Sequence, residues 1–163
     1  MKKFLLCLIL VASLMPISAS AISVAQENAI VGRCDTIKEK LKAVQYSDSR
    51  ARVYLGRYYE TILSKFITPL NVRLVENNLS DSKMISNQDN FAKTRTAFIV
   101  DFVEYQKVLE ELVAMDCKTE PEEFYGKLET VREKRKVVAN NVARLKKLAV
   151  EQVNLTNSLK ERL

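Results

Sequence analysis

The residues whose chemistry is clearest from the sequence are two cysteines in the body of the chain, Cys34 and Cys117, which could form a disulfide bond. A third, Cys7, lies in the apolar segment that starts the chain. Two cysteines in an exported protein most simply form one disulfide bond, because oxidising compartments favour it. The alternative is two unpaired apolar core residues in a compartment that lacks an oxidant. The sequence therefore predicts a Cys34–Cys117 disulfide.

Catalytic side chains are poorly represented. The chain has no histidine, which removes the commonest general base near neutral pH and the commonest metal ligand. Two cysteines are too few for an all-cysteine zinc site, and the isolated glycines form no phosphate-binding loop. Catalysis by carboxylates alone stays open, but no pair is singled out. We expect a protein that is not an enzyme and that holds no cofactor and no metal.

Residues 50–59 are rich in arginine and tyrosine, a composition that suggests a binding surface. If Leu55 and Tyr59 face the core, helical spacing brings four residues toward one flank: Arg50, Tyr54, Arg57 and Tyr58. We call these four residues the Arg–Tyr flank. Arginine and tyrosine are the residue types that most often anchor protein interfaces. The alternative is that the tyrosine rings pad the edge of the core with their hydroxyl groups in water.

A second candidate surface is basic. Residues 132–147 hold seven basic side chains against Glu133 alone, and four of them define a predicted basic face: Arg132, Lys136, Arg144 and Lys147. One interpretation is that this helix complements an acidic neighbour. The other is a surface for an anionic envelope component, such as phospholipid headgroups or an acidic cell-wall polymer. A nucleic-acid partner is not expected, since no nucleic-acid-binding motif is present.

The start of the chain predicts export. Lys2 and Lys3 precede an apolar run, and Ala19-Ser20-Ala21 has the small residues of a cleavage site. The apolar stretch is shorter than the ~20 residues that a membrane-spanning helix needs. We therefore predict a cleaved signal peptide over 1–21 and a secreted or periplasmic protein without a membrane span. Loss of the two lysines lowers the net charge from +6 to +4.

These residues must be positioned by an all-α fold. Only three glycines and three prolines occur in the chain, whereas a β-rich fold needs turn residues at short intervals. We predict one domain over 22–163, an antiparallel bundle of about four helices. The first helix covers about 24–45 and ends in a polar turn, Ser47-Asp48-Ser49, which offers N-cap residues to the next.

The second helix is predicted to be kinked. Its core face carries Leu55, Tyr59, Ile62 and Phe66 until Pro69 removes a backbone donor and crowds the preceding turn. The pattern resumes at Leu70 and fades near 77–81. A polar connection then extends to about residue 89.

The third and fourth helices have clearer boundaries. The third, about 88–117, carries a seam at spacings of four and three: Phe91, Arg95, Phe98, Phe102, Tyr105, Leu109 and Leu112. If Arg95 is buried there, it needs a carboxylate or backbone acceptors. The fourth covers about 120–162, where Thr119 to Glu122 matches a capping box and Pro121 suits the first turn.

Two consequences follow from these lengths. The fourth helix should overhang the third by roughly 20 Å. The overhanging end contains four leucines: Leu148, Leu155, Leu159 and Leu163. These leucines either pack against another element or a second chain, or belong to a frayed C-terminal tail. In an up-down-up-down bundle, Cys34 would also lie ~18 Å below the level of Cys117. A disulfide then requires a downward shift of the third helix or a re-routing at Pro69; otherwise the cysteines are unpaired.

The expected function is binding. We expect an exported, non-catalytic helical bundle that binds a protein or an envelope component, with self-association through the C-terminal helix as a further possibility. In size, export signal and basic charge the chain is similar to the periplasmic coiled-coil holdase chaperones. It departs from them in having no opening β-strand segment and in having a cysteine pair. A holdase-like chaperone with a basic coiled-coil surface is therefore the alternative.

Overall fold

The computed structural model describes residues 22–79 and 81–161, and regular structure in this part of the chain is entirely helical. The predicted signal peptide, residues 1–21, lies outside the described residues. The elements are α1 (Val24–Gly32), α2 (Cys34–Thr61), a π-helical segment (Ile62–Ile67), α3 (Thr68–Glu76), α4 (Ser82–Ala114) and α5 (Pro121–Lys160). The predicted all-α class is confirmed.

The predicted turn at Ser47-Asp48-Ser49 is wrong, because α2 continues through it. The break in this half of the chain lies at Arg33, between α1 and α2. Within the helix, the Ser49 hydroxyl donates to the carbonyl oxygen of Gln45 (2.7 Å). Helical backbone angles persist on both sides of the π-helical segment, so α2, this segment and α3 form one continuous run over 34–76. We call it the N-terminal run.

The whole N-terminal run packs antiparallel to α4. Three hydrogen bonds set the register at the top, the middle and the bottom: Lys38 to the Met115 carbonyl (2.9 Å), Arg52 to Gln106 (2.9 Å) and Asn71 to the Met84 carbonyl (3.1 Å). Residue numbers rise on one partner as they fall on the other, which defines an antiparallel pair.

Helix α5 packs antiparallel to α4 on the other side. The pairs along this interface are Lys127 with Glu111 (2.8 Å), Lys134 with Glu104 (2.6 Å), Asn141 with Asp101 (2.7 Å) and Asn87 with Gln152 (2.8 Å). The N-terminal run and α5 are consequently parallel to each other, with α4 packed against both.

This arrangement explains the cysteine pair. Cys34 is the first residue of α2, and Cys117 follows the end of α4, so antiparallel packing brings both to the same end of the bundle. Their Cα atoms lie 5.6 Å apart and their Sγ atoms are at bonding distance, 1.96 Å. The register conflict expected from the sequence came from the turn that is absent. Neither a shift of α4 nor a re-routing at Pro69 is needed.

The aromatic seam of α4 forms the core, as predicted. Its apolar members are all buried, and edge-to-face contacts link Phe98 to Phe102 (5.6 Å between ring centroids) and Phe102 to Tyr105 (5.7 Å). Such contacts stabilise a core beyond simple area burial. Arg95 lies at the edge of this seam and forms an ion pair with Glu60 of α2, which supplies the carboxylate that its position requires.

The π-helical segment shifts the register of the N-terminal run by one residue. Phe66 was predicted to face the core but is 65% exposed, whereas Ile67 is 2% exposed and takes its place. The Thr68 amide donates to the carbonyl oxygen of Leu63, five residues back, which inserts one extra residue into the turn. Pro69 follows in the first turn of α3. The interruption predicted at this proline therefore takes the form of a π-helical segment.

The ends of α4 and α5 correct two further predictions. Helix α4 begins at Ser82 instead of about 88, with Asp81 as its N-cap. Helix α4 therefore covers more of α5, and the overhang of α5 is shorter than predicted. Leu155 and Leu159 are half-buried, while Leu163 lies outside the described residues. Helix α5 begins at Pro121 as predicted, but the capping box is absent, because the Thr119 hydroxyl donates to the carbonyl oxygen of Asp116.

Candidate partner-binding groove

A groove runs between the N-terminal run and α5. These two parallel elements both pack on α4, and long side chains bridge the space between them. The Tyr59 hydroxyl donates to the carbonyl oxygen of Val142 (3.4 Å), and Arg135 donates to Asp48 (2.9 and 3.1 Å). The bridges leave a middle depression around Asp48 and a distal depression below Tyr59. We call the second one the distal groove.

The distal groove is apolar and has a volume of about 400 Å³. Its walls come from the N-terminal run and the C-terminal half of α5: Tyr58, Ile62, Phe66, Ile67, Leu70, Ala149, Gln152, Val153, Thr156 and Asn157. Phe66 and Val153 are 65% and 58% exposed at its mouth. The register shift at the π-helical segment is what turns Phe66 outward. π-helical turns often occur at functional sites.

All four residues of the Arg–Tyr flank are exposed, on the outer side of α2. The rings of Tyr54 and Tyr58 stack with 6.2 Å between centroids and an interplanar angle of 8°. Tyr58 also lines the distal groove, so the flank and the groove form one continuous surface. The structure adds Tyr46 to this surface, because its ring centroid lies 5.8 Å from Cζ of the Arg50 guanidinium. Its spacing of four residues from Arg50 is a signal that the sequence contained.

A hydrogen-bond network lines the middle depression. Asp48, half-buried between the helices, accepts from the Tyr105 hydroxyl (2.7 Å) and from Arg135. Burial and then the Asp48 carboxylate raise the pKa of Tyr105. The same carboxylate raises the pKa of Arg135. These groups satisfy one another, so the network fastens α2, α4 and α5 together.

The predicted basic face is only partly available to an anionic partner. Arg132 and Lys136 form ion pairs with Glu129 and Glu133 on the same helix. Other basic residues of α5 pair with acidic residues of α4, as the complementary-helix interpretation predicts. The other two residues of this face, Arg144 and Lys147, are exposed and have no described carboxylate within ion-pair distance.

Three buried amide side chains lie toward the distal end of the bundle, Asn71, Asn87 and Gln152, and Gln152 also lines the distal groove. Asn87 of α4 donates to Gln152 (2.8 Å) and to the Leu148 carbonyl (3.1 Å), while Asn71 of α3 donates to Met84 and Gln88. Three buried atoms in this layer have no hydrogen-bond partner: Asn71 Oδ1, Asn87 Oδ1 and Gln152 Nε2. Sequence reasoning did not find this layer, because Asn87 fell in a predicted connection. An unsatisfied buried polar group lowers stability, whereas the opposite end of the bundle carries the disulfide.

Residues 22–79 and 81–161 contain no cluster of three side chains able to hold a metal ion. None of their helices has the length and hydropathy of a membrane-spanning segment. Comparison of the chain with protein-family models, with curated proteins and with solved structures yields no match.

Proposed function

We propose that the protein is an exported, non-catalytic binding protein, and that it recognises a protein partner through the Arg–Tyr flank and the distal groove. The observation that carries this proposal is the stacked, exposed pair Tyr54–Tyr58, followed directly by an apolar groove. Tyr54 is 68% exposed. Such exposure argues against the alternative in which the rings pad the edge of the core.

The surface is also organised before any partner binds. Tyr54 and Tyr58 stack on a continuous helix, and the guanidinium of Arg50 lies over the ring of Tyr46. Ordering of side chains at an interface typically costs about 0.5–1.5 kcal/mol for each long side chain. Side chains already held by their neighbours lose less on binding, which favours this surface over scattered arginines and tyrosines.

The test is site-specific photo-cross-linking in cells that export the protein. A photoreactive phenylalanine derivative replaces Tyr54, and the control replaces Val103, an exposed residue of α4. We expect one protein to be cross-linked from Tyr54 and not from Val103. Binding of that protein to purified Arg57→Glu and Tyr58→Ala should weaken by about tenfold or more, with unchanged circular dichroism, if these residues are interface anchors. Equal cross-linking from both positions, or full binding by both variants, rejects the proposal.

A holdase-like chaperone is the second candidate. The observation in its favour is the apolar side chains exposed at the distal end, including Phe66, Val72 and Val153. Such a protein should suppress the aggregation of several unrelated unfolded clients, and added salt should weaken this effect if the basic residues contribute. Failure to suppress aggregation at a molar excess over the client excludes it.

A further inference from the structure

The open side of the bundle has the form of a site for one more helix. The N-terminal run and α5 are parallel and both pack against α4, so the groove between them is the position that a fourth helix holds in a four-helix bundle. We infer that the distal groove binds an α-helical segment of the partner, with an apolar stripe and acidic flanks. This inference rests on the proposed function and names the chemistry of the partner.

The dimensions of the groove suit a short helix. Its wall on the N-terminal run extends from Tyr58 to Leu70, a distance of about 18 Å, or between three and four helical turns. Apolar side chains face the groove from both walls, including Ile62 and Phe66 on one side and Ala149 and Val153 on the other. Amphipathic helices bind such grooves through apolar residues at spacings of three and four.

The charges near the groove indicate which residues should flank the apolar stripe of the bound helix. Two exposed cations each lie three residues from a groove residue on the same helical element, a spacing that makes neighbours on a helix surface: Lys65 from Ile62 and Lys146 from Ala149. Arg57, which belongs to the Arg–Tyr flank, is a third exposed cation and directly precedes Tyr58. None of them has a described carboxylate within ion-pair distance. Asp48, the acidic residue in the neighbouring depression, is already bound by Tyr105 and Arg135. Unpaired cations on the helical elements that form these apolar walls favour an acidic partner.

The direct test uses two synthetic peptides. Each has about 14 residues, or four turns, with the same leucine stripe; one carries glutamates and the other lysines on the flanks. We expect the glutamate peptide to bind the mature protein at least tenfold more tightly and to gain helicity on binding. The double variant Lys65→Glu/Lys146→Glu should lose that preference. The control Lys83→Glu, an exposed change on α4, should retain it.

Cross-linking separates this inference from the proposed function. The photoreactive residue is placed at Phe66 and at Val153. The inference is supported if both positions cross-link to the protein captured at Tyr54. The cross-linked segment of that protein should have apolar residues at helical spacing and a net negative charge. Cross-linking from Tyr54 but from neither groove position overturns the inference and leaves the proposed function standing. No cross-link from any of the three positions rejects both.

Other results also overturn it. Equal binding of the two peptides, or absence of binding by both, excludes an acidic helix as the occupant. A cross-link from Phe66 to a second copy of this chain identifies self-association instead. A cross-link to lipid identifies a membrane surface.

Discussion

The disulfide bond should contribute a large share of the stability of this protein. Cys34 and Cys117 are separated by 83 residues, and both are buried. In the chain-entropy model, closing a loop of this length restricts the unfolded chain enough to stabilise the fold by about 4.5 kcal/mol. Domains are typically stable by 5–15 kcal/mol. Replacing both cysteines by alanine should therefore remove a third or more of the free energy of unfolding.

Urea denaturation followed by far-ultraviolet circular dichroism measures this loss. The oxidised protein, the same protein with reductant, and Cys34→Ala/Cys117→Ala are compared at one pH. Reduced wild type controls for the sulfur atoms that the alanines remove from the core. Because the bond acts on the unfolded chain, the two forms without it should agree within about 2 kcal/mol, since two core substitutions cost about 1 kcal/mol each. A loss below about 1 kcal/mol for both would refute the reasoning, since it would leave the loop-closure argument without effect.

Three further predictions concern the segment that was expected to be a turn and Tyr105 of α4, which contacts it. Ser47 is exposed within α2, so Ser47→Pro should lower the free energy of unfolding by about 3 kcal/mol, whereas Ser47→Ala should leave it nearly unchanged. Urea titration measures both changes. If the proline variant were as stable as the wild type, a continuous helix through this segment would be contradicted. Asp48→Ala should cost about 1–3 kcal/mol in the same titration, because it leaves the buried Tyr105 hydroxyl without its acceptor; an unchanged midpoint would show that the network contributes nothing. Burial and Asp48 raise the pKa of Tyr105, so the neutral phenol is favoured in the fold and stability should fall as the pH rises above about 10, where the unfolded chain ionises. Tyr105→Phe should reduce that slope, and an identical slope in the variant would argue against this cause.

Local spacing was enough to predict the core of α4. Seven positions alternating by four and three define one face of a helix. The six apolar positions are buried, as that geometry predicts, and Arg95 lies at the edge of the face. The start of α5 was equally predictable from the sequence, because proline is suited to the first turn of a helix and to few other helical positions. The cysteine pairing followed from composition and from the predicted export.

Long-range partners explain what could not be predicted. Ser47-Asp48-Ser49 has the composition of a turn, but Asp48 is held in the helix by Tyr105 and Arg135, which lie 57 and 87 residues away. The period of an ideal helix likewise placed Phe66 in the core, since nothing in the apolar pattern marks the extra residue of a π-helical turn. The Arg–Tyr flank was visible in the sequence, whereas the groove beside it exists only after α5 has packed.

The disulfide also gives the chain an unusual topology. Residues 34–117 form a covalent ring that contains the N-terminal run, the 77–81 connection and α4. A protease that cuts the connection would open this ring without separating the pieces, and they would part only after reduction. A cut within 118–120 would leave α5 attached by packing alone. The bundle is therefore a closed loop with one helix appended at each end, α1 and α5, and the groove that α5 helps to form can be dismantled while the ring stays whole.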